Sequence, residues 1–516
     1  MTALYEAVAS VARLRPDAIA VETTAGELTT YAELVAQADR ITVGLRARGV
    51  TEGRVVVCSG LPNDASYMAF LLGVCAAGAA YVPLLADFDA AAVSRALRMT
   101  EPVLWVGPEN HHRPGVTLPR VELAALQAPH ADFAAASVTA APDAAADAAT
   151  GAELGAASGA GPQERATAPG TFRMLWTSGS TKAPKLVTWR QEPFVRERRR
   201  WIAHIEATER DAFFCRHTLD VAHATDLHAF AALLAGARLI LADPRAEPAT
   251  LLAQLAATGA TFTSMLPNHY EDLVAAAGRA PDADLSRLRR PMCGGAYASP
   301  ALIATAAEVL GIRIRHVYGS TEFGLALGNM ADEVQTGGGM HEVAGVRARL
   351  EALPGYERDD LGQLVLTSDC TSDGYLGDDE ANAATFRGPD FWTGDVAQRL
   401  DDGRLRLLGR VTDLVLAADG PLAVPQLDDL IAQRCPVAES VSLAVDADTL
   451  TDRVLVVLRA AEGTPADDAV AAVDALLAAR GLTSAVLAFD RIPRTVVGKA
   501  DRALIRRRYI PAAASS

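Results

Sequence analysis

Residues 172–187 have the sequence FRMLWTSGSTKAPKLV, in which an apolar run leads into a loop of small hydroxylated residues. The run FRMLW predicts a buried strand. Backbone N–H groups and hydroxyls around a glycine can converge on one anion, and a nearby lysine adds positive charge. The stretch therefore predicts a phosphate-binding loop after a strand. The candidate phosphate-binding residues are Thr177, Ser178, Gly179, Ser180, Thr181 and Lys185.

The segments before and after this loop predict an α/β fold. VVVCSG (55–60) and GAAYVPL (78–84) are typical of buried strands, and residues 62–77 between them are typical of a helix. A strand, a helix and a strand in this order predict a parallel sheet. Residues 127–170 are rich in Ala, Gly and Pro without periodicity, which predicts a flexible insertion.

The length and composition limit the classes of protein. A chain of 516 residues exceeds what one hydrophobic core supports, so we expect two or more domains. A formal net charge of -15 argues against nucleic acid as a partner and favours small-molecule ligands. The six cysteines are scattered, which predicts reduced thiols. The chain has no run of about 18 apolar residues and no signal-like N-terminus, so we expect a cytoplasmic protein without a membrane partner.

Four later segments add residues that suit nucleotide chemistry. In chain order they are HVYGSTEFG (316–324), FWTGD (391–395), GRVTD (409–413) and PRTVVGKADR (493–502). Together with the phosphate loop, whose spacing differs from that of P-loop NTPases, they resemble the motifs of the adenylate-forming superfamily. This superfamily includes acyl-CoA synthetases, luciferases and peptide-synthetase adenylation domains. The resemblance implies a large N-terminal domain of α/β subdomains, 1–408, and a small mobile C-terminal α+β domain, 409–516, with the active site between them.

The resemblance also implies how a carboxylate would be joined to the α-phosphate of ATP. The two groups repel each other, so positive charge must be fixed around the reacting phosphorus. Lys499 would bridge the carboxylate and the phosphate, and Thr321 would donate to the α-phosphate. Glu322 would hold Mg²⁺, a hard cation that prefers carboxylate and phosphate oxygens.

The nucleoside would bind through a second group of residues. By resemblance, Tyr318 would stack on adenine, and Asp395 and Arg410 would bind the ribose hydroxyls. Small residues of CGGAY and of the Y-G element would line the adenine and acyl pockets, where a missing side chain permits close approach. These residues are Gly294, Gly295, Ala296 and Gly319.

In the second half-reaction of the superfamily, coenzyme A attacks the acyl carbonyl after the C-terminal domain has rotated. The hinge would lie at Thr412 and Asp413. His223 either lies beside the substrate carboxylate and gates the thiol tunnel, or is a hydrogen-bonded core histidine, and the sequence leaves both open. The basic run RERRRW (196–201) is either a contact for the 3′-phosphate of CoA or, as the pattern favours, a solvated helix face.

Three positions depart from the superfamily motifs. Lys182 replaces a glycine of the phosphate loop, Thr412 replaces Asp or Lys at the hinge, and Leu416 replaces a lysine. Losing glycine removes access to positive φ where the backbone must approach pyrophosphate closely. We therefore expect an acyl-CoA ligase in which thioesterification of an acyl-AMP is retained and adenylation is impaired or lost, with a partner ligase supplying the adenylate.

Two other functions remain open. A stand-alone adenylation enzyme would load a carrier protein, with Asp220 binding an amino group of the substrate, although the expectation that no carrier domain follows Lys499 favours CoA. A non-catalytic protein would only bind AMP or acyl-AMP. The Ala-rich composition and the altered motifs resemble acyl-CoA ligases of actinobacterial diterpenoid pathways of the platensimycin type, but they do not identify the acyl substrate.

Overall fold

A computed structural model of the chain describes residues 2–111, 116–128, 167–177, 184–280, 282–330, 337–354, 356, 358–446, 450–494 and 500–510. The predicted insertion is described only at its edges. Six residues singled out above lie outside the described residues: Ser178, Gly179, Ser180, Thr181, Lys182 and Lys499. The roles suggested for them stay predictions.

The described elements alternate between helices and strands over most of the chain. The strands are β1 (Ile19–Thr23), β2 (Leu28–Thr30), β3 (Val55–Cys58), β4 (Ala80–Pro83), β5 (Leu104–Val106), β6 (Arg120–Val121), β7 (Thr171–Trp176), β8 (Leu186–Arg190), β9 (Ala212–Cys215), β10 (Arg238–Leu241), β11 (Phe262–Met265), β12 (Arg290–Cys293), β13 (Arg315–Ser320), β14 (Gly324–Gly328), β15 (Gly339–Glu342), β16 (Arg347–Glu351), β17 (Leu361–Thr367), β18 (Phe386–Arg387), β19 (Asp390–Arg399), β20 (Leu405–Arg410), β21 (Leu414–Ala417), β22 (Gly420–Ala423), β23 (Val437–Ala444), β24 (Arg453–Ala460) and β25 (Thr483–Ala488). The α-helices are α1 (Ala3–Leu14), α2 (Tyr31–Arg46), α3 (Ala65–Ala77), α4 (Ala90–Thr100), α5 (Leu123–Gln127), α6 (Gln191–His204), α7 (Ala222–Ala224), α8 (Phe230–Ala235), α9 (Pro248–Ala257), α10 (Pro267–Ala276), α11 (Pro300–Leu310), α12 (Asp379–Thr385), α13 (Val424–Arg434), α14 (Ala466–Ala478) and α15 (Arg502–Tyr509). A π-helix, Thr225–Ala229, joins α7 to α8.

The first sheet has six strands in the order β6-β5-β3-β4-β7-β8. Strand β3 is parallel to β4 and β5, and α3 connects β3 with β4, so the predicted strand–helix–strand unit is confirmed. Asp64 caps the first turn of α3 by accepting from two backbone N–H groups, and Gly78 ends the helix at a φ of +76°. Almost every side chain of α3 is buried, because the helix lies inside the core shared by both sheets.

The second sheet has 14 strands and joins a parallel half to an antiparallel half. Strands β10, β9, β11, β12 and β13 are parallel neighbours in that order. Because β10 and β11 lie on opposite sides of β9, the direction of winding changes at the gap between β9 and β11. Such switch points, at the carboxyl ends of the strands, are where open α/β sheets bind ligands. The antiparallel half surrounds a smaller apolar core that includes Phe323, Leu364 and Phe391.

Residues 414–510 form a two-stranded sheet, β21-β22, and a three-stranded sheet, β23-β24-β25, packed with α13, α14 and α15. Their core contains Leu427, Val456 and Val473. The large α/β part followed by a smaller α+β unit matches the fold predicted from the sequence, while the domain boundary at 408/409 stays a prediction. Among the described residues, no helix combines the length and apolar character that crossing a bilayer requires. The six cysteines are unpaired, as expected.

Candidate active site

The carboxyl end of β12 lies beside the first half of β13 and brings two predicted site segments together. Cys293 of β12 pairs with His316 of β13, and Gly294 follows directly. A Cβ on Gly294 would lie 2.6 Å from the Val317 carbonyl oxygen, so this approach of loop to strand requires glycine. Gly295 has a φ of +78° and is exposed together with Ala296. The Gly-rich segment thus presents its backbone to solvent at the sheet edge that carries Tyr318 and Gly319.

Tyr318, Asp395 and Arg410 form a group across β13, β19 and β20. The Tyr318 hydroxyl donates to Asp395 Oδ2 at 2.6 Å, and Arg410 Nε lies 3.8 Å from Asp395 Oδ1. Asp395 lies opposite Arg410 in the antiparallel pair β19/β20, which fixes the second contact. Burial raises the pKa of Asp395, and the hydroxyl of Tyr318 and the charge of Arg410 act against this shift. The Asp395 side chain keeps 19% of its surface exposed, so a ligand hydroxyl can reach the carboxylate.

A second group lies around the ring of Tyr375. The Tyr375 hydroxyl donates to Glu322 Oε1 at 2.8 Å, and Lys185 Nζ lies 4.5 Å from the centre of the ring. At the base of the phosphate loop, the Lys185 N–H donates to Thr177 Oγ1 at 3.2 Å. The side chain of Tyr375 therefore contacts both Glu322, the predicted metal-binding carboxylate, and Lys185, the predicted phosphate-binding lysine. These two predicted site residues lie against the same aromatic side chain.

Tyr375 and Trp189 belong to this site but carry no motif that identifies them in the sequence. Tyr375 is placed by backbone pairing of its segment with β8, where the Leu376 N–H donates to the Leu186 carbonyl at 2.8 Å. Trp189 Nε1 donates to the Thr321 carbonyl oxygen at 2.6 Å and so holds the turn that carries Thr321. The only signal in the sequence is the presence of two large aromatic residues near polar segments, which is too common to be diagnostic.

The predicted hinge residues follow β20 directly. Thr412 and Asp413 lie in a short 3-10 helix, Val411–Asp413, between β20 and β21. Asp413 is close enough to act on Asp395, because its charge contributes to the raised pKa of that carboxyl group. A hinge function at these two residues stays a prediction.

His223 has the environment of a hydrogen-bonded core histidine, one of the two alternatives. Its Nε2 lies 3.1 Å from the Ser264 carbonyl oxygen, and burial lowers the pKa of the ring to about 4. The residue keeps partial exposure. A contact between this histidine and the substrate carboxylate stays a prediction.

The basic run at 196–201 is not uniformly solvated. Arg198 is fully buried and forms an ion pair with its neighbour Glu197, while Arg196 and Arg200 both pair with Asp369. The interpretation of this run as a solvated face is therefore wrong for Glu197 and Arg198. The two side chains lie at helical spacing from the buried Phe194 and Trp201, on the face of the helix that packs against the core.

A family model described as AMP-binding enzyme matches residues 8–376, well over half of the chain. The chain belongs to this family. The prediction of an adenylate-forming enzyme is thereby confirmed, while the roles of Asp395, Glu322 and Lys185 stay predictions.

Two relatives of this AMP-binding enzyme are similar over at least 90% of their own length. A triostin synthetase I of Streptomyces triostinicus is 25% identical, over 93% of this chain and 90% of its own. A feruloyl-CoA synthase of an Amycolatopsis species is 25% identical, over 96% of this chain and 97% of its own. The crystal structure of ATP-bound MatB from Rhodopseudomonas palustris is 22% identical, with a TM-score of 0.77 and 99% of both chains covered. This last similarity shows a shared fold.

The chemistry of Glu322 suits a divalent cation that also binds phosphate. One carboxylate oxygen accepts from Tyr375, which leaves the second oxygen available. No group of three or more His, Cys, Asp or Glu side chains that could hold a metal occurs among the described residues. Mg²⁺ is commonly held by one or two carboxylates plus substrate phosphates and water. The AMP-binding enzyme therefore fits Mg²⁺ that enters together with a nucleotide.

Proposed function

We propose that the protein is an acyl-CoA ligase that acts through an acyl-AMP. In the first step, a carboxylate oxygen of the acid attacks the α-phosphorus of ATP, and pyrophosphate leaves. In the second step, the sulfur of coenzyme A attacks the acyl carbon, AMP leaves, and the thiol proton passes to solvent. The partners are a carboxylic acid or its acyl-AMP, and CoA.

The contact of Asp395 with Tyr318 and Arg410 carries this proposal. A carboxylate and a guanidinium beside an aromatic ring suit the ribose hydroxyls and the base of AMP. Glu322 would hold Mg²⁺ on the phosphates, and Thr321 and Lys185 would donate to them. Lys499 would supply the charge between the carboxylate and the α-phosphate, which repel each other until a cation lies between them.

The choice of CoA over a carrier protein rests on the similarity to a feruloyl-CoA synthase over 97% of its length. The similarity to a triostin synthetase keeps the carrier protein as a second candidate. In the structure, Asp220 accepts from the Tyr67 hydroxyl at 2.6 Å and burial raises its pKa, so a substrate amino group would have to compete for this carboxylate. This observation favours CoA.

The experiment supplies the protein with a panel of synthetic acyl-AMPs and either CoA or carrier proteins bearing phosphopantetheine. We expect AMP release together with an acyl-CoA detected by mass spectrometry. Transfer to a carrier protein alone would identify the second candidate. Tight binding of AMP without turnover of any acyl-AMP would instead identify a non-catalytic binding protein.

We further propose that adenylation is impaired relative to thioesterification, with a partner ligase supplying the adenylate. The phosphate loop is needed mainly for the β- and γ-phosphates, which are present only in the first step, and Lys182 stands where the superfamily has glycine. We predict that Lys182→Gly raises pyrophosphate release at least about tenfold and leaves the rate with supplied acyl-AMP unchanged. Lys182→Ala is the control: it removes the long side chain but does not restore the access to positive φ that glycine has. Rapid pyrophosphate release by the native protein would contradict this proposal.

A further inference from the structure

Four histidines gather at the carboxyl edge of the parallel sheet, on the side of β11 away from Tyr318. The ring of His217 lies 4.3 Å from that of His223, 5.2 Å from that of His269 and 6.2 Å from that of His228, between centroids. The rings of His223 and His228 are stacked 5.8 Å apart. His217 follows β9, His223 and His228 lie in the helices after it, and His269 lies in α10, beyond β11.

This cluster occupies the switch point between β9 and β11. The two strands pair only at Phe262 with Phe213 and at Thr263 with Phe214. At the next residue, Ser264, the backbone is bound by imidazoles instead: its N–H donates to His228 Nε2 at 2.9 Å, and its carbonyl lies 3.1 Å from His223 Nε2. The strands therefore separate at the position where parallel α/β sheets bind ligands.

These hydrogen bonds fix the tautomers of two rings. A backbone N–H only donates, so His228 Nε2 carries a lone pair, and its Nδ1–H donates to the His223 carbonyl at 3.1 Å. A backbone carbonyl only accepts, so His223 Nε2 carries the hydrogen, and the Nδ1 of the neutral ring keeps a lone pair. Burial lowers the pKa of both rings, to about 4 for His223 and about 3 for His228, so both are uncharged at neutral pH.

Two polar atoms of the cluster have no hydrogen-bond partner within the described part of the chain. They are His217 Nε2 and Ser264 Oγ, both of which are buried. The Ser264 side chain is fully buried, while His217 and His223 keep partial exposure. Buried polar atoms are normally paired, so a group that enters the cluster and bonds them is favoured.

The cluster offers hydrogen bonds but no positive charge. Burial, together with the neighbouring histidines and Arg216, lowers the pKa of His217 well below its usual range. The adjacent cation, Arg216, donates to the Pro244 carbonyl at 3.5 Å and lies near Asp272 rather than forming a pair with the rings. A carboxylate placed among neutral imidazoles would lose its hydration without gaining a counter-charge.

We infer that His217, His223 and Ser264 form the acyl subsite for a carboxylic acid whose acyl part carries an uncharged hydrogen-bonding group, such as a hydroxylated aromatic ring. This inference rests on the proposed function. The cluster lies at β9 and β11, and Tyr318 lies at β13, two strands beyond β11. At about 4.8 Å per strand, an acyl group of one aromatic ring attached to AMP spans that separation. The flat imidazole faces suit an aromatic ring, and the free atoms suit its hydroxyl.

The test measures dissociation constants of non-hydrolysable sulfamoyl adenosines by calorimetry. The acyl groups are benzoyl, 3-hydroxybenzoyl, 4-hydroxybenzoyl and 4-carboxybenzoyl, and AMP is titrated alongside. We expect at least one hydroxybenzoyl compound to bind about tenfold more tightly than the benzoyl compound, because a site built for a hydroxyl discriminates against its absence. We expect the carboxybenzoyl compound to bind no more tightly than the benzoyl compound.

Variants then assign the preference to the cluster. Ser264→Ala removes one hydroxyl, and His217→Phe keeps an aromatic ring while removing the two nitrogens, so each should reduce the hydroxybenzoyl preference several-fold and leave AMP binding unchanged. The series on the native protein tests the inference even if a variant fails to fold. Equal affinity for all acyl groups, or the tightest binding by the carboxybenzoyl compound, would overturn it. Failure of AMP itself to bind would contradict the proposed function as well.

Discussion

Asp395 shows how one side chain is prepared for a ligand. Burial alone would favour the neutral acid, and a protonated carboxyl group would be a poorer acceptor for ribose hydroxyls. The Tyr318 hydroxyl at 2.6 Å and the charge of Arg410 stabilise the carboxylate, and they come from β13 and from β20, the neighbour of β19. These two contacts oppose the effect of burial, which still leaves the pKa of Asp395 raised.

We predict that Asp395→Ala weakens AMP binding by about 2 kcal/mol or more, because the ribose hydroxyls lose a charged acceptor that phosphate contacts cannot replace. Calorimetry with AMP measures the loss. Tyr318→Phe is the matched control: it removes the hydroxyl that binds Asp395 and keeps the ring, so the loss should be smaller. An unchanged affinity of Asp395→Ala would remove this residue from the ribose site.

His228 provides a prediction about acid stability. Its pKa is lowered to about 3 in the fold, mainly by burial and then by the charge of His223, against about 6.5 in an unfolded chain. A lowered pKa means that the unfolded chain binds the extra proton first. The contribution of His228 to the free energy of unfolding is therefore fully present above pH 6.5 and is lost as the pH drops toward 3. The loss from this residue is about 1–2 kcal/mol at pH 5.

His228→Gln should flatten this dependence, since an amide can both accept from Ser264 and donate to His223 without titrating. Urea unfolding between pH 8 and pH 5 measures the midpoints. The other titratable groups near the cluster are His217, His223, His269, Arg216 and Asp226, and they retain their contribution in the variant. His341→Gln changes an exposed histidine and is the control. A variant with the native pH profile would show that His228 is not a source of the acid sensitivity.

At the scale of elements, four buried charges connect β7, α6, the π-helix and β14. Arg173 Nη2 donates to Asp226 Oδ2 at 2.8 Å, and Arg198 Nη1 donates to the Asp226 carbonyl at 2.8 Å. Arg198 pairs with Glu197, whose Oε1 accepts from the Leu325 N–H at 2.8 Å. Strand β7 leads into the phosphate loop, and β14 follows the turn that carries Thr321 and Glu322. The network therefore ties together the two segments that would bind phosphate.

We predict that Asp226→Asn lowers the stability by about 3 kcal/mol, because the guanidinium of Arg173 is left buried without its counter-charge. Replacing both partners, Arg173→Met with Asp226→Leu, should recover much of the loss, since the desolvation of both charges is then avoided. The midpoint of urea unfolding measures both variants. Asp402→Asn breaks an exposed pair with Arg404 and should cost less than about 1 kcal/mol. A loss for Asp226→Asn as small as that of Asp402→Asn would contradict a buried ion pair.

Local pattern determined which elements and which motif residues could be predicted. The run VVVC, the helix before GAAYVPL and the strand FRMLW are recognisable because their apolar spacing is local, and Asp395 and Arg410 lie in recognisable motifs. The charged pattern around Glu197 and Arg198 indicates a solvated helix face. Their burial could not be predicted, because their partners, Asp226 and Leu325, are distant in the sequence. Arg173 gave a usable signal, a single charge inside an apolar strand. Tyr375 gives no diagnostic signal, because its place depends on pairing with Val187 of β8, far earlier in the chain.

At the scale of the molecule, the described residues of 414–510 contact the described remainder through a hydrogen bond and an apolar cluster. The Tyr297 hydroxyl donates to Asp429 Oδ2 at 3.1 Å, which joins the Gly-rich segment to α13. An apolar cluster with Val396, Leu408, Leu414 and Ala423 crosses the predicted boundary beside Thr412. The exposed hydrogen bond between Tyr297 and Asp429 contributes little, so this polar contact can break and form again at low cost. The order of motifs along the chain predicts two units, but it does not predict which surfaces of them meet.

We predict that the C-terminal unit takes up two orientations, with Thr412 as the pivot. Spin labels at Leu14→Cys and Leu504→Cys, both exposed, report the distance between units, in a Cys435→Ser background that removes the partly exposed thiol. The distance distribution should shift when CoA is added to protein saturated with AMP. The reason is that the thiol of CoA and the segment that carries Lys499 must occupy the same cleft in turn.

Thr412→Pro fixes one φ in the pivot and should narrow the distribution to one distance. Labels at Leu14→Cys and Val309→Cys, both exposed and both before the boundary, should show one distance throughout. If the distance to residue 504 stays equally constant with AMP, with CoA and with both, the chain works without rotation, and residues 409–516 are part of a rigid site rather than a moving lid.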